Sequence, residues 1–242
     1  MKTASNIESI IRTLPEGKVV DYEFLTLNKK EYPAAAKALS RMVKSGLIKR
    51  ASTGLFYRPK KTIFGELTPG EDQLLQPYLF KNDKRIAYVT GIALYNQMRL
   101  TTQVPAIIQV ASRSKRITAK VGALSIRGVK SYVEVTDENY ALLEILDAIK
   151  DFKDIPDMDI KSGLTILKNK LTKLSKNKKK ELVDLALAYP PRTKALAGAL
   201  LEWIQRNPPL TNPLAESLHA LTSYKLGIDP ILLPTIQQWN II

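Results

Sequence analysis

Lys37, Arg41 and Lys44 recur at i, i+4 and i+7, a spacing that sets three cations along one side of a helix. Such a row can neutralise phosphate, and the planar fork of an arginine can also read guanine bidentately. No acidic residue stands four positions away from any of the three. The cations continue through Lys49, Arg50, Arg58, Lys60 and Lys61, with Lys29 and Lys30 upstream. A basic stripe on a helix is most often a solvated face, and for three residues alone that is the default reading. The length of the run, and the small Ala34 beside it, favour a polyanion instead. Arg41 is the residue expected to read bases, Lys37 to share base and phosphate, and Ser52 and Thr53 to reach phosphate or the minor groove.

Little else has the makings of chemistry. There is no cysteine, so disulfides, thiolate metal sites and cysteine nucleophiles are excluded. The single histidine, His219, sits between Leu218 and Ala220 and reads as packed or capping. Asp157, Asp159 and Lys161 superficially suit a metal-dependent nuclease, but such a site needs carboxylates converging from separate arms of the chain. Dinucleotide, Walker, GxSxG and HExxH motifs are missing. The expectation is a chain with no catalytic residue, no metal site and no cofactor.

The elements around the cationic row account for its placement. Ser5 can cap a helix with Ile7, Ile10, Ile11 and Leu14 on one face, ended by Pro15 and Gly17. An extended piece over 18–20 and a short helix YEFLTL capped by Asp21 follow. Pro33 suits the first turn of a third helix, whose inward face is Ala35, Ala38, Leu39, Met42 and Val43 and whose left-handed stop is Gly46. Leu47 to Arg50 and Leu55 to Arg58 read as strands joined by a turn with Gly54 at positive φ. That order predicts a winged helix-turn-helix over 1–61, with Lys37, Arg41 and Lys44 on its recognition helix.

Residues 62–160 predict an α+β domain: helices over 72–79, 90–98 and 138–152, and strands over 106–111, 117–121, 124–126 and 132–135. The polar trio of TTQVP, 101–105, most simply satisfies backbone groups in a bend. SRSKRITAK, 112–120, is a basic patch that suits a solvated loop, a DNA phosphate or a partner. Residues 161–242 predict a helical bundle, with a Leu164, Leu167, Leu171 and Leu174 stripe, a helix ELVDLALAY, a helix TKALAGALLEWI with Gly198 allowing close approach, a loop NPPLTNP and a short helix bearing His219. The fold class is thus α+β.

The 242 residues carry a formal charge of +14, which draws polyanions. Residues 1–61 hold 13 Lys/Arg against 5 Asp/Glu and residues 161–194 hold 10 against 2, whereas 62–160 and 195–242 are near neutral. The opening segment lacks the apolar core of a signal peptide, and no apolar run is long enough to span a bilayer. A cytoplasmic protein with no membrane partner is expected.

GLFYRPKKTIFGEL, YVTGIALYNQMRLTTQVP and AYPPRTKALAGALLE, with TSYKLGI near the end, together resemble the AbiE-type antitoxins of bacterial type IV toxin-antitoxin systems. The likeness runs over most of the chain, from about Ile7. Arg99 stands where such sequences often carry glycine before Leu-Thr-Thr-Gln. The resemblance implies a phage-defence repressor whose winged domain binds operator DNA, expected as inverted repeats, and whose remainder counteracts a nucleotidyltransferase-like toxin. It also implies a reading for the basic segment from Lys161: Lys168, Lys173, Lys178, Lys179 and Lys180 would dock the toxin's acidic surface, where composition alone suggests a solvated face or a second DNA contact. A free-standing winged-helix regulator with a ligand-binding or dimerising C-terminal region is the alternative.

Overall fold

The computed structural model describes residues 2–25, 28–114 and 117–242, with the side chains of Lys2, Thr3 and Lys29 outside the description. Thr26 and Leu27 of the expected YEFLTL helix, and Lys115 and Arg116 of the basic patch, therefore lie outside the described residues. The chain is mixed α+β. In order it runs α1 (Lys2–Thr13), β1 (Val19–Val20), a 3-10 turn (Lys29–Glu31), α2 (Tyr32–Lys44), β2 (Lys49–Ser52), β3 (Leu55–Tyr57), β4 (Lys60–Thr62), β5 (Gly65–Leu67) and α3 (Glu71–Leu79). Then come β6 (Phe80–Lys81), β7 (Lys84–Arg85), β8 (Ala87–Thr90), α4 (Ile92–Gln97), β9 (Ile108–Ser112), β10 (Thr118–Val121), β11 (Leu124–Lys130) and α5 (Tyr140–Lys150). The rest is helical: α6 (Ile160–Thr172), α7 (Lys176–Ala186), α8 (Pro191–Ile204) and α9 (Pro208–Glu216). Two compact units emerge, Met1–Lys84 with Thr118–Ile126, and Arg85–Ile117 with Arg127–Ile242, where the sequence suggested three segments.

In the first unit, β3 lies between β1 and β2, all antiparallel, with Val20 opposite Phe56 and Arg50 opposite the same residue. Ile7 and Ile11 of α1, Ala35, Ala38, Leu39 and Met42 of α2, and Ile48 and Phe56 form one core. Helix α1 begins before Ser5, so the expected cap is an interior residue; Ala4 packs on the core and extends the apolar stripe upstream. Asp21 caps a turn by accepting from the Phe24 N–H at 2.9 Å instead of starting a helix. Helix α2 ends as expected at Gly46, φ 74°, with Leu47 N–H bonded to Met42 C=O and Gly46 N–H to Val43 C=O. These bonds hold Leu47 and Ile48 in the turn, and the strand starts at Lys49.

In the second unit, β8 and β9 pair antiparallel, with Val89 opposite Val110. Helix α5 buries Leu142, Leu143, Ile145, Leu146, Asp147, Ala148 and Ile149, and a single cluster joins β8, α4 and α5 to α6–α9 and the tail at Trp239 and Ile241. Residues 132–135, expected as a strand, are a bend. Side chains occupy its carbonyls: Arg113 donates to Tyr132 O, Ser131 to Val133 O and Asn139 to Glu134 O. NPPLTNP is not a loop; Pro208 and Pro209 occupy the first turn of α9, where no N–H is needed. His219 follows that helix in an exposed turn, its Nδ1 accepting from the Leu221 N–H. Gly198 admits the Trp239 ring, with which an added Cβ would clash.

The TTQVP bend is held by its own polar groups. Thr101 Oγ1 accepts from Gln103 N, and Asn96 Nδ2 donates to Gln103 O at 3.0 Å. Just before it, α4 ends with Leu100 N–H on Tyr95 C=O and Arg99 N–H on Asn96 C=O, the bonding pattern that closes α2. Here the left-handed residue is Arg99, φ 63° and exposed, which costs a residue with a Cβ about 1–2 kcal/mol. Arg99→Gly is expected to raise stability by about 0.5–1 kcal/mol once the entropy of the unfolded glycine is set against the relieved strain, measured by denaturant unfolding.

Asp147 is buried, accepting from Tyr88 OH at 2.9 Å, Thr90 Oγ1 at 2.6 Å and Tyr189 OH at 3.1 Å, with Lys150 Nζ at 3.7 Å. Burial holds its carboxyl above the usual range. On the same helix, burial pushes Glu144 up to about 7, against the opposing fields of Lys170 and Arg85. A carboxyl whose pKa rises on folding leaves stability whole below the unfolded value, about 4.3, and drains it as pH climbs to the folded value. Glu144→Gln should flatten that decline between about pH 4.5 and 7 and add about 2 kcal/mol at pH 8, read from melting across a pH series.

Candidate nucleic-acid interface

Helix α2 has two faces. Ala35, Ala38, Leu39 and Met42 are buried, and between their positions Lys37, Arg41 and Lys44 stand exposed. Among the described residues none of the three has a carboxylate partner within ion-pair distance. Ala34, Ala36 and Ser40 are the exposed residues among them, and a shallow depression lies over Ala36, Lys37, Ser40 and Arg41. Small residues let the backbone of such a helix approach a partner closely while the long cations reach past it. Lys30 is exposed at the entry to α2; the Lys29 side chain lies outside the described residues.

The β2–β3 hairpin redistributes the other candidates. Thr53 is exposed at its turn, and Gly54 takes φ 79°. Arg50 stacks over Phe56 with its guanidinium 5.5 Å from the ring centre, leaving its head exposed. Lys49 pairs with Glu66 of β5 at 2.5 Å; that hydrogen bond raises the Lys49 pKa and lowers the Glu66 pKa. Ser52 is not free for a phosphate, because its hydroxyl donates to Lys120 O at 3.0 Å. Lys60 and Lys61 are exposed on β4.

That Ser52 bond brings in a residue from the expected strand 117–121 and the basic patch 112–120. Lys120, exposed on β10, stands beside the β2–β3 hairpin across 68 positions of chain. The only local signal was the basic run SRSKRITAK in a neutral block.

Arg58 is engaged by the end of the first helix. Its Nη1 donates to Arg12 O at 2.8 Å and Leu14 O at 3.0 Å, and its Nη2 lies 3.9 Å from Glu16. A guanidinium set over the last carbonyls of α1 caps that helix and complements its dipole, so Arg58 serves as a structural clamp.

The basic segment of the second unit divides in the same way. Lys168 lies 3.7 Å from the centre of the Trp203 ring, and Lys178 Nζ donates to Glu138 O and Glu181 Oε2, both at 2.7 Å. Both are engaged within the chain. Lys173 and Lys180 are exposed and Lys179 is half-buried. The acids of 156–161 do not converge: Asp157 Oδ2 accepts from Gln103 Nε2, while Asp159 caps α6 through the Ser162 N–H, and hydrogen bonding with the Ser162 hydroxyl and then its N–H lowers the Asp159 pKa. Among the described residues no group of three His, Cys, Asp or Glu could hold a metal, and no helix is long and apolar enough to cross a membrane.

Arg58→Ala should destabilise the protein by about 1–2 kcal/mol, the net worth of two charge-assisted hydrogen bonds at a half-exposed site, as measured by thermal melting.

No curated protein matches the chain. Among solved structures, the RV2827C protein from Mycobacterium tuberculosis superposes with a TM-score of 0.49 at 14% identity, over 92% of this chain and 84% of that one. Residues 6–183 match the model of DUF6088, a family of unknown function, and since that span is most of the chain, the protein belongs to this family.

Proposed function

We propose that the chain is a non-enzymatic, sequence-specific binder of double-stranded DNA whose first unit works as a winged helix-turn-helix. Helix α2 is the recognition helix and the β2–β3 hairpin the wing. One observation carries the reading: α2 turns its whole apolar face into the core and holds Lys37, Arg41 and Lys44 in water without acidic partners among the described residues. A helix of that kind enters the major groove with its cations toward base edges and phosphates. Lys30, Arg50, Thr53, Lys60, Lys61 and Lys120 supply phosphate contacts around it.

The resemblance to AbiE-type antitoxins supports a cytoplasmic repressor of its own operon that also counteracts a nucleotidyltransferase-like toxin. In that reading the helices α6–α9 form a bundle, and Lys173 and Lys180, with Lys179 beside them, face the toxin's acidic surface. A nucleotidyltransferase-like reading frame next to the gene separates this from a free-standing regulator.

DNA binding is tested by titrating the chain against the duplex upstream of its own gene and against an unrelated duplex. Arg41→Ala should cost about 1–3 kcal/mol on the cognate duplex and narrow the difference between the two. Lys60→Ala should weaken both alike and lower the slope of log K against log salt by about 1. Equal, sequence-blind losses from both variants would contradict the roles given to Arg41 and Lys60.

A further inference from the structure

Among the described residues of the first unit, the most exposed apolar side chains sit together. Ile63 and Phe64 are 94% and 93% exposed and form the two-residue loop of the β4–β5 hairpin, between the paired Thr62 and Gly65. The loop is stiff, with Thr62 Oγ1 donating to Gly65 O at 2.7 Å and accepting from Phe64 N–H at 3.3 Å, and with Gly65 at φ 112°. The Phe64 N–H and the Thr62 hydroxyl are taken up within the turn, and the two side chains at the tip are hydrocarbon. Lys60 and Lys61 stand exposed on the strand leading into it, and the Lys49–Glu66 pair ties the hairpin to β2.

Holding two large apolar side chains in water is unfavourable, and folding gives this pair no shelter. Size and charge decide the occupant. A stable protein interface takes about 800 Å² from each partner, whereas one aromatic side chain offers about 150–250 Å², so a two-residue tip falls short of such an interface. It matches the space between two stacked base pairs, and the flanking lysines match the phosphates on either side of that step.

We infer that the β4–β5 tip is an apolar wedge: on a bound duplex, Phe64 and Ile63 enter the minor groove and part a base step while Lys60 and Lys61 hold the adjoining phosphates. This rests on the DNA-binding reading above and adds to it a second contact, which bends the duplex. Flexible pyrimidine–purine steps would be the preferred seat, since they unstack most easily.

The test uses the full chain and an end-labelled duplex of about 30 base pairs from upstream of the gene, with anisotropy for affinity and energy transfer between the ends for bending. The wild type should shorten the end-to-end distance on binding. The I63S/F64S variant should keep its fold and its salt slope, lose the bend and bind about tenfold more weakly. F64L, which keeps a wedge, should still bend. Binding without bending by the wild type, or an unchanged bend in I63S/F64S, overturns the wedge and leaves the DNA-binding reading in place. A wild type that binds no duplex at low salt sinks both. A fall in particle mass on light scattering of I63S/F64S without DNA would overturn the wedge by making the tip a contact between copies.

Discussion

The constraint on which the first unit depends is the packing of one narrow helix face. Ala35 and Ala38 are only 0% and 3% exposed beside Leu39 and Met42, and with Ile7 and Ile11 across from them α1 and α2 come close over small side chains. Because the helix repeats every 3.6 residues, burying that stripe leaves the orientation of Lys37, Arg41 and Lys44 no freedom. The Gly46 turn then feeds the chain into β2 and β3, whose Phe56 closes the same core. The cationic row is exposed because the apolar row is buried, and a change of register in one would displace the other.

The second unit is organised around a polar centre. Asp147 on α5 collects hydrogen bonds from Tyr88 and Thr90 of β8 and from Tyr189, between α7 and α8, so a single carboxylate joins three parts of the chain. Burial opposes the charge on Lys150, but Asp147 and Asp151 outweigh it and raise the lysine's pKa. Tyr95 OH extends the network to Asp151. A buried charge of this sort adds little net stability over well-packed hydrocarbon, and removing one partner is costly. Its partners are structural groups that all point at one acceptor, which describes a joint in the fold better than a reaction centre.

Much of this was legible where the signal is local. The α2 stripe, its stop at Gly46, the turn at Gly54 and the apolar face of α5 follow from periodicity and backbone preference within a few residues. Long-range partnerships were not: nothing near Ser52 announces Lys120, and nothing near Arg58 announces the carbonyls of α1. The β4–β5 hairpin was missed because KKTIFGEL does not alternate apolar and polar residues, its apolar pair lying in the turn. Pro208 and Pro209 misled in the other direction, since proline ends a helix in its interior and suits it in its first turn.

Gly46 and Arg99 show how the same backbone requirement can be met by different residues. Both sit just past a helix, at φ 74° and 63°, and both helices close with the same pair of bonds. At Gly46 the chain turns into β2, and an added Cβ would meet nothing within 4 Å, so it is the left-handed backbone and not crowding that favours glycine there. At Arg99 the strain is tolerated, because Met98 and Leu100 on either side are only 7% and 3% exposed and the bend behind them is bonded through Thr101, Asn96 and Gln103. The same left-handed φ is thus met without strain by glycine after α2, and by a strained cation after α4 where the neighbouring residues and the following bend hold it in place.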